Sequence, residues 1–169
     1  MSNQVYSNSQ HKYFAQPGMT RWQLTGSQTV TEAEGSKLIA WQSLPDINQG
    51  SGSAITSNAG VFTVNEEGLY SITLAAALTM PTAAWDYRIT LNLAAGNLQA
   101  TNVPLARVKA YTPFNGAIGS LIEQLSAVAY IPQGGAFVVF LENFTATEAL
   151  TINASGVTLQ SVLQVTKIA

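Results

Sequence analysis

Cysteine is absent from this 169-residue chain, and histidine occurs once, at His11. Disulfides, thiolate nucleophiles and cysteine metal sites are therefore excluded. A serine triad or a histidine-based metal site would have to use an imidazole that sits in a polar N-terminal stretch, away from any core strand. Charge is also scarce. Asp, Glu, Lys and Arg together make up 9% of the chain, against roughly 25% in ordinary soluble domains. No basic run exists and the formal net charge is −2, so a nucleic-acid partner is not expected. No apolar run approaches the length of a membrane span, no glycine-rich loop ends in the lysine of a phosphate cradle, and the polar first ten residues do not read as a secretory signal. Thr, Ser, Asn, Gln and Ala take the place of charge. Apolar residues reach 47%, enough to build the core of one domain. A surface this poor in Lys and Glu suits a protein that buries much of itself in an assembly.

Residues 1–35 differ from the rest. They are rich in Ser, Gln, Asn and Thr, turn at Pro17-Gly18, and carry Tyr6, Tyr13, Phe14 and Trp22. They read as an extended arm or a peripheral hairpin, with a loose tail as the plain alternative. The scattered aromatics argue for the arm, since disordered tails are poor in them. Residues 36–169 read as one all-β domain. Lys37 to Gln42 is apolar on both faces, and Asp46 to Gly60 is a loop dense in Gly, Ser and Asn. Val61 to Val64 is a short strand, and Asn65 to Gly68 is turn chemistry. Tyr70, Ile72 and Leu74 alternate with Ser71 and Thr73; Tyr87, Ile89, Leu91 and Leu93 alternate with Arg88, Thr90 and Asn92. Leu98 to Thr101 returns antiparallel to the latter, and Pro104 marks Val103 to Tyr111 as an edge strand or loop. Leu121 to Ile131 fits a helical face as well as a strand. Pro132 to Gly135 turns tightly into the apolar run Phe137 to Leu141, Leu150 to Ile152 is short, and Thr158 to Ile168 closes the chain as a long strand. Roughly eight to ten strands with turns every 8–12 residues make a sandwich or barrel.

Residues able to carry chemistry do not converge. Asp46 and Asp86 are the only aspartates. Asp46 and Asn48 in a Gly-rich loop could touch calcium, but a firm site wants three or more carboxylates, so a solvated turn residue is the better reading. Glu66 and Glu67 are adjacent in a turn and read as solvated. Asn143 and Asn153 each begin a glycosylation pattern, yet both read as turn residues. Trp41, Trp85 and Tyr111 have loops beside them and could form a sugar platform, although core or interface packing is the stronger reading for any one of them. No catalytic constellation, metal set or cofactor site is expected.

Three stretches give the chain a resemblance to the tumour-necrosis-factor-like jelly roll, and more closely to the globular head of the complement subunit q family. Gly60-Val61-Phe62-Thr63-Val64 followed by Gly68-Leu69-Tyr70 is similar to that family's hairpin, and it follows a strand, Leu38-Ile39-Ala40-Trp41, and a Gly/Asn-rich loop as in the family. Tyr87 to Asn97 is similar to a family strand with an Asn-Gly turn, here reversed as Gly96-Asn97. Val128 to Phe140 is similar to the family's turn between two strands, with Gly134-Gly135-Ala136 where the family has Gly-Asp. The resemblance covers about residues 36–169. It implies a two-sheet jelly roll that forms tight homotrimers and, in the bacteriophage members, a capsid decoration (cement) protein.

The apolar second faces at Leu38 with Ile39, at Val138 with Val139 and at Ala75-Ala76-Ala77 either pack against another subunit or are buried on both sides within one. The expectation is a non-enzymatic virion protein, made in the host cytoplasm and placed on the capsid surface. It would bind the major capsid protein of the same virus through arm residues Tyr6, Lys12, Tyr13, Phe14 and Arg21. The alternative is a receptor- or glycan-binding head of a viral fibre or spike, using loop residues Trp85 and Tyr111. A fibre head would have a shaft before it, and residues 1–35 are too short for one.

Overall fold

A computed structural model describes residues 19–31, 34–49, 55–80, 85–94, 103–112, 119–144, 149–154 and 160–168. Thirteen strands appear among them: β1 (Met19–Gln23), β2 (Gln28–Val30), β3 (Ser36–Leu38), β4 (Ile47–Gln49), β5 (Ile55–Asn58), β6 (Val61–Val64), β7 (Gly68–Met80), β8 (Trp85–Ala94), β9 (Val103–Thr112), β10 (Gly119–Ile131), β11 (Ala136–Asn143), β12 (Leu150–Ile152) and β13 (Val162–Lys167). They form a jelly-roll sandwich of two antiparallel sheets. One runs β2-β12-β7-β13-β1-β4 with β10 along the other side of β7; the second runs β5-β6-β11-β8-β9 with β3 on β11. The surplus over eight to ten strands comes from short pieces of three to five residues, β1, β2, β4 and β5.

The longest strand shows how local sequence sets topology. β7 alternates Tyr70, Ile72, Leu74 and Ala76 inward, all fully buried. One of its edges pairs with β10 over all 13 residues, which settles Leu121 to Ile131 as a strand. Its other edge is shared: Tyr70 to Ala75 pair with β13, and Leu78 and Thr79 pair with β12. The alanine run lies at this seam. There the Ala77 N–H donates to Ser161 Oγ at 2.9 Å, and its carbonyl accepts the Asn153 N–H at 2.8 Å. Buried Ser161 and Asn153 thus complete a ladder that no strand covers. Asn153 also exchanges hydrogen bonds with the Thr79 hydroxyl, and buried Asn143 donates Nδ2 to the Val30 carbonyl. Both asparagines of the glycosylation patterns are therefore structural.

Aromatics fill one end of the core. Phe62 stacks on Phe137 (centroids 4.9 Å, planes 6° apart), meets the edge of Trp22 at 5.0 Å, and lies 6.3 Å from Trp41. Trp22 comes from one sheet and Phe62 from the other, so this cluster ties the layers together. Toward the other end, buried Tyr87 on β8 donates its hydroxyl to Glu123 on β10. The tyrosine pKa is raised, first by burial and then by the hydrogen bond and charge of Glu123.

One turn rests on backbone geometry. Ala59 (φ 48°) and Gly60 (φ 88°) join β5 to β6 in a two-residue hairpin with both central residues left-handed. A Cβ at Gly60 would lie 2.3 Å from the Ile39 carbonyl oxygen. Only glycine fits there.

Several expectations need correction. The boundary near Ser36 falls too late, because β1 pairs with β13 and β2 with β12, and Trp22, Leu24 and Val30 are core residues. Met19 to Val30 is part of the sandwich, not of the arm, and Trp22 is its fully buried anchor. The stretch 46–60 is not all loop, since β4 and β5 take their register from β1 and β6 despite weak β propensity. The strand returning along β8 is β9; Leu98 to Thr101 lies outside the described residues. β9 is an edge strand as Pro104 suggested, with a bulge between the Ala106 and Pro104 pairings. Val138, Val139, Ile39, Ala76 and Ala77 are all buried within the single chain, and Leu38 is half-buried. Two-sided burial is the right reading for Val138 with Val139 and for Ala76 with Ala77, while Leu38 and Ala75 stay partly exposed.

Candidate interaction surface

Among the described residues, no group of three or more His, Cys, Asp or Glu side chains could hold a metal ion. Asp46 is instead clamped by one guanidinium and one side-chain amide. Its Oδ2 accepts Arg21 Nη2 at 2.6 Å, Arg21 Nε at 2.9 Å and Gln23 Nε2 at 2.7 Å. Burial pushes the Asp46 carboxyl up, but the hydrogen bonds from Arg21 and Gln23 and the Arg21 charge outweigh it and hold the group below its ordinary range. A guanidinium already occupies the position that a calcium ion would need. Arg21, expected in a free arm, is therefore part of a staple that joins β1 to the segment just before β4.

The surface with the clearest signal is the outer face of the β10-β7-β13-β1 sheet. Along β10 the inward set is Leu121, Glu123, Leu125, Ala127, Ala129 and Ile131, which leaves Ile122, Gln124, Ser126, Val128 and Tyr130 outside. Val128 and Tyr130 are each 61% exposed, Ile168 50% and Ile122 43%. Register places Tyr130 opposite Leu69, and the Ile168 N–H donates to the Leu69 carbonyl, so Tyr130, Leu69 and Ile168 form one apolar row. The next rows carry Val128, Ser71, Thr166 and Met19, then Ser126, Thr73, Gln164 and Arg21, then Gln124, Ala75, Val162 and Gln23. The only charge in these rows is Arg21, which Asp46 neutralises. Charge returns at one corner: Glu67 accepts the Tyr130 hydroxyl, and Glu66 pairs with Lys167. A face with exposed apolar side chains and almost no net charge suits contact with another protein surface. Among the described residues β10 is also a 13-residue edge strand with no proline and no outward charge, which invites pairing unless it is covered. The alternation of Ile122, Val128 and Tyr130 was visible in the sequence, but their exposure was hidden by the helix–strand ambiguity of this segment.

Against this fold, the solved structures of murine APRIL give close superpositions. The pH 5.0 crystal structure has a TM-score of 0.61 at 14% identity, covering 90% of this chain and 100% of that one. The pH 8.0 and pH 8.5 structures give 0.58 and 0.55, again at 14% identity, covering 89% of this chain and 98% of theirs. The fold is the tumour-necrosis-factor-like jelly roll. No family model matches the sequence, and no curated protein does. At this identity the likeness concerns the jelly roll alone.

The remaining expected site residues are distributed as follows. Tyr6, Lys12, Tyr13 and Phe14 lie outside the described residues. Trp41 is buried against Phe62 and belongs to the core, not to a sugar platform. Trp85 and Tyr111 are not loop residues. They occupy ladder positions on β8 and β9, opposite Thr112 and Asp86 respectively. Cross-strand pairing does bring Arg88 together with Glu142 and Phe144, a grouping that no short motif encodes.

Proposed function

We propose that this jelly roll is a non-enzymatic assembly protein, a homotrimeric cement protein that binds the major capsid protein and stabilises the capsid of a bacterial virus. The observation that carries the reading is the outer β10-β7-β13-β1 face, which exposes Ile122, Val128, Tyr130 and Ile168 and carries one charge in its central rows, Arg21, paired with Asp46. Such a face needs a partner of like character, and a second copy of the chain supplies one. The likeness to the tumour-necrosis-factor-like jelly roll and the scarcity of charge across the sequence support it. The mechanism is burial of area, with no bond made or broken. Attachment to the shell falls to residues 1–18, which bring Tyr6, Tyr13, Phe14 and Lys12 and no acid. Extended at about 3.3 Å per residue, they reach some tens of ångströms, far enough to cross onto a neighbouring shell subunit. Aromatic side chains anchor well because they bury much area at small rotamer cost.

The test is co-sedimentation with intact capsids. Full-length protein is expected to pellet at fixed stoichiometry, and a chain lacking residues 2–18 to stay a folded trimer yet lose attachment. Equal pelleting of the two would move the clamp to the body. A clean monomer in light scattering at micromolar concentration would overturn the trimer.

A further inference from the structure

The aromatic end of the core contains hydrogen-bonding groups that the protein itself does not use. Trp22 Nε1, Trp41 Nε1 and Ser57 Oγ are buried and find no hydrogen-bond partner among the described residues. Trp22 and Trp41 are at most 2% exposed and Ser57 8%, so bulk water does not serve them. The three side chains gather around one ring. Trp22 meets Phe62 at 5.0 Å and Trp41 lies 6.3 Å from it. Ser57 stands directly opposite Phe62 in the β5-β6 register, and paired residues share a face. Trp22 and Trp41 also lie on adjacent stretches of their own sheet, because Trp41 bridges to Leu24 and the Gln42 N–H donates to the Gln23 carbonyl.

A buried donor without an acceptor is costly, and native cores rarely leave two side by side. An N–H aimed at an aromatic face relieves part of that cost. Phe62 has little to offer in this way. One of its faces is taken by Phe137, stacked 4.9 Å away with the planes 6° apart. The face that remains can serve one indole at most. The other indole and the Ser57 hydroxyl still need a partner from outside the chain.

We propose that this end of the core is a binding site for one internal water molecule, which accepts the N–H groups of Trp22 and Trp41 and donates to Ser57 Oγ. The three groups select that ligand by their chemistry. An indole nitrogen only donates, so the ligand must offer two lone pairs; a hydroxyl accepts as well as donates, so the ligand can also give a proton to it. Water does both, and about three partners is usual for a buried water. An anion fits worse. Arg21, the cation of β1, is held by Asp46 on the other face of the strand, so a bare negative charge among these rings would be uncompensated. The Trp41–Phe62 contact, at 6.3 Å, is the widest that the Phe62 ring makes with its aromatic neighbours and lies near the outer limit for such pairs, which places the water on that side. Trp22 belongs to one sheet and Ser57 to the other, so the water joins the layers beside the aromatic cluster. The site lies inside the sandwich and does not depend on the assembly surface.

The experiment is NMR on the full chain with isotope-labelled tryptophan, reading NOE and ROE cross-peaks between the indole Hε1 protons and the water resonance. The chain has three tryptophans, so W85F leaves only the Trp22 and Trp41 signals and does not touch the cluster. If W85F is unstable, NOEs to the Phe62 ring give the same assignment in the wild type. Both indole protons are expected to show water cross-peaks, with NOE and ROE of opposite sign as for a long-held water. S57A removes the hydroxyl proton that could relay exchange with solvent, and the cross-peaks should persist in it. Silence from both indoles, or a cross-peak from one alone, would overturn the shared water. Loss of both cross-peaks in S57A would assign the signal to the hydroxyl and overturn the proposal equally. Indole shifts that saturate on titration with sodium iodide would replace water by an anion and overturn the choice of ligand. None of these readings involves capsids or subunit association, so the outcome is separate from that of the assembly proposal.

Discussion

Replacing both Val128 and Ile122 with serine strips apolar area from the proposed subunit contact without touching the sandwich core. Val128 is 61% exposed and Ile122 43%, and their side chains point away from the interior. Burying a Val or Ile side chain fully is worth about 1.5–3 kcal/mol. Scaled by exposure, covering Val128 contributes about 1–2 kcal/mol and Ile122 about 1 kcal/mol per subunit. At 1.4 kcal/mol per tenfold, the pair changes the apparent dissociation constant by roughly 30- to 150-fold. The fold should tolerate the change, because serine already occupies position 126 on the same outward row. The assay is analytical ultracentrifugation over a concentration series, with T56K as the control, since Thr56 is exposed on β5 of the other sheet. Wild type and T56K should remain trimeric where V128S/I122S has dissociated. If the double variant keeps the wild-type concentration dependence, the β10 face is not the contact, and the inference from exposed apolar area to self-association fails here.

Other consequences concern stability. F62A removes the ring that joins Trp22, Trp41 and Phe137, and should cost about 3–5 kcal/mol, which for a chain of this size lowers Tm by roughly 10 °C; a loss under about 1 kcal/mol in urea titration would mean that the core is not built around it. A59N should stabilise by about 0.5–1 kcal/mol, because asparagine tolerates the left-handed φ that alanine holds there, and an unchanged or lower Tm would refute the turn assignment. D46N should cost less than about 1 kcal/mol, since the Arg21–Asp46 pair is partly solvent-screened. Because the folded Asp46 pKa lies below the unfolded one, that contribution is present above the unfolded value near 3.9 and disappears as pH falls through the folded value. Wild type and D46N should therefore converge in stability in acid, and a gap that persists to about pH 2 would contradict the sign.

The sequence alone determined the fold class, because alternation is a local property. Tyr70-Ile72-Leu74 and Tyr87-Ile89-Leu91 can bury one face only as strands. The absence of cysteine and the scarcity of charge likewise narrowed the chemistry before any coordinate was known. Long-range pairing was not legible. β1 belongs to the sandwich because it pairs with β13, some 140 residues later, and nothing near Trp22 records that partner. The helix–strand ambiguity of β10 was settled by its ladder with β7, and only that ladder revealed which side chains face water. Val138 beside Val139 looked like surplus surface until the fold buried both. The grouping of Arg88, Glu142 and Phe144 depends on register across separate strands, which sequence spacing does not encode. Composition and periodicity decide which side chain must be hidden from water, and tertiary pairing decides which neighbour hides it and which side chains are left over to meet something else.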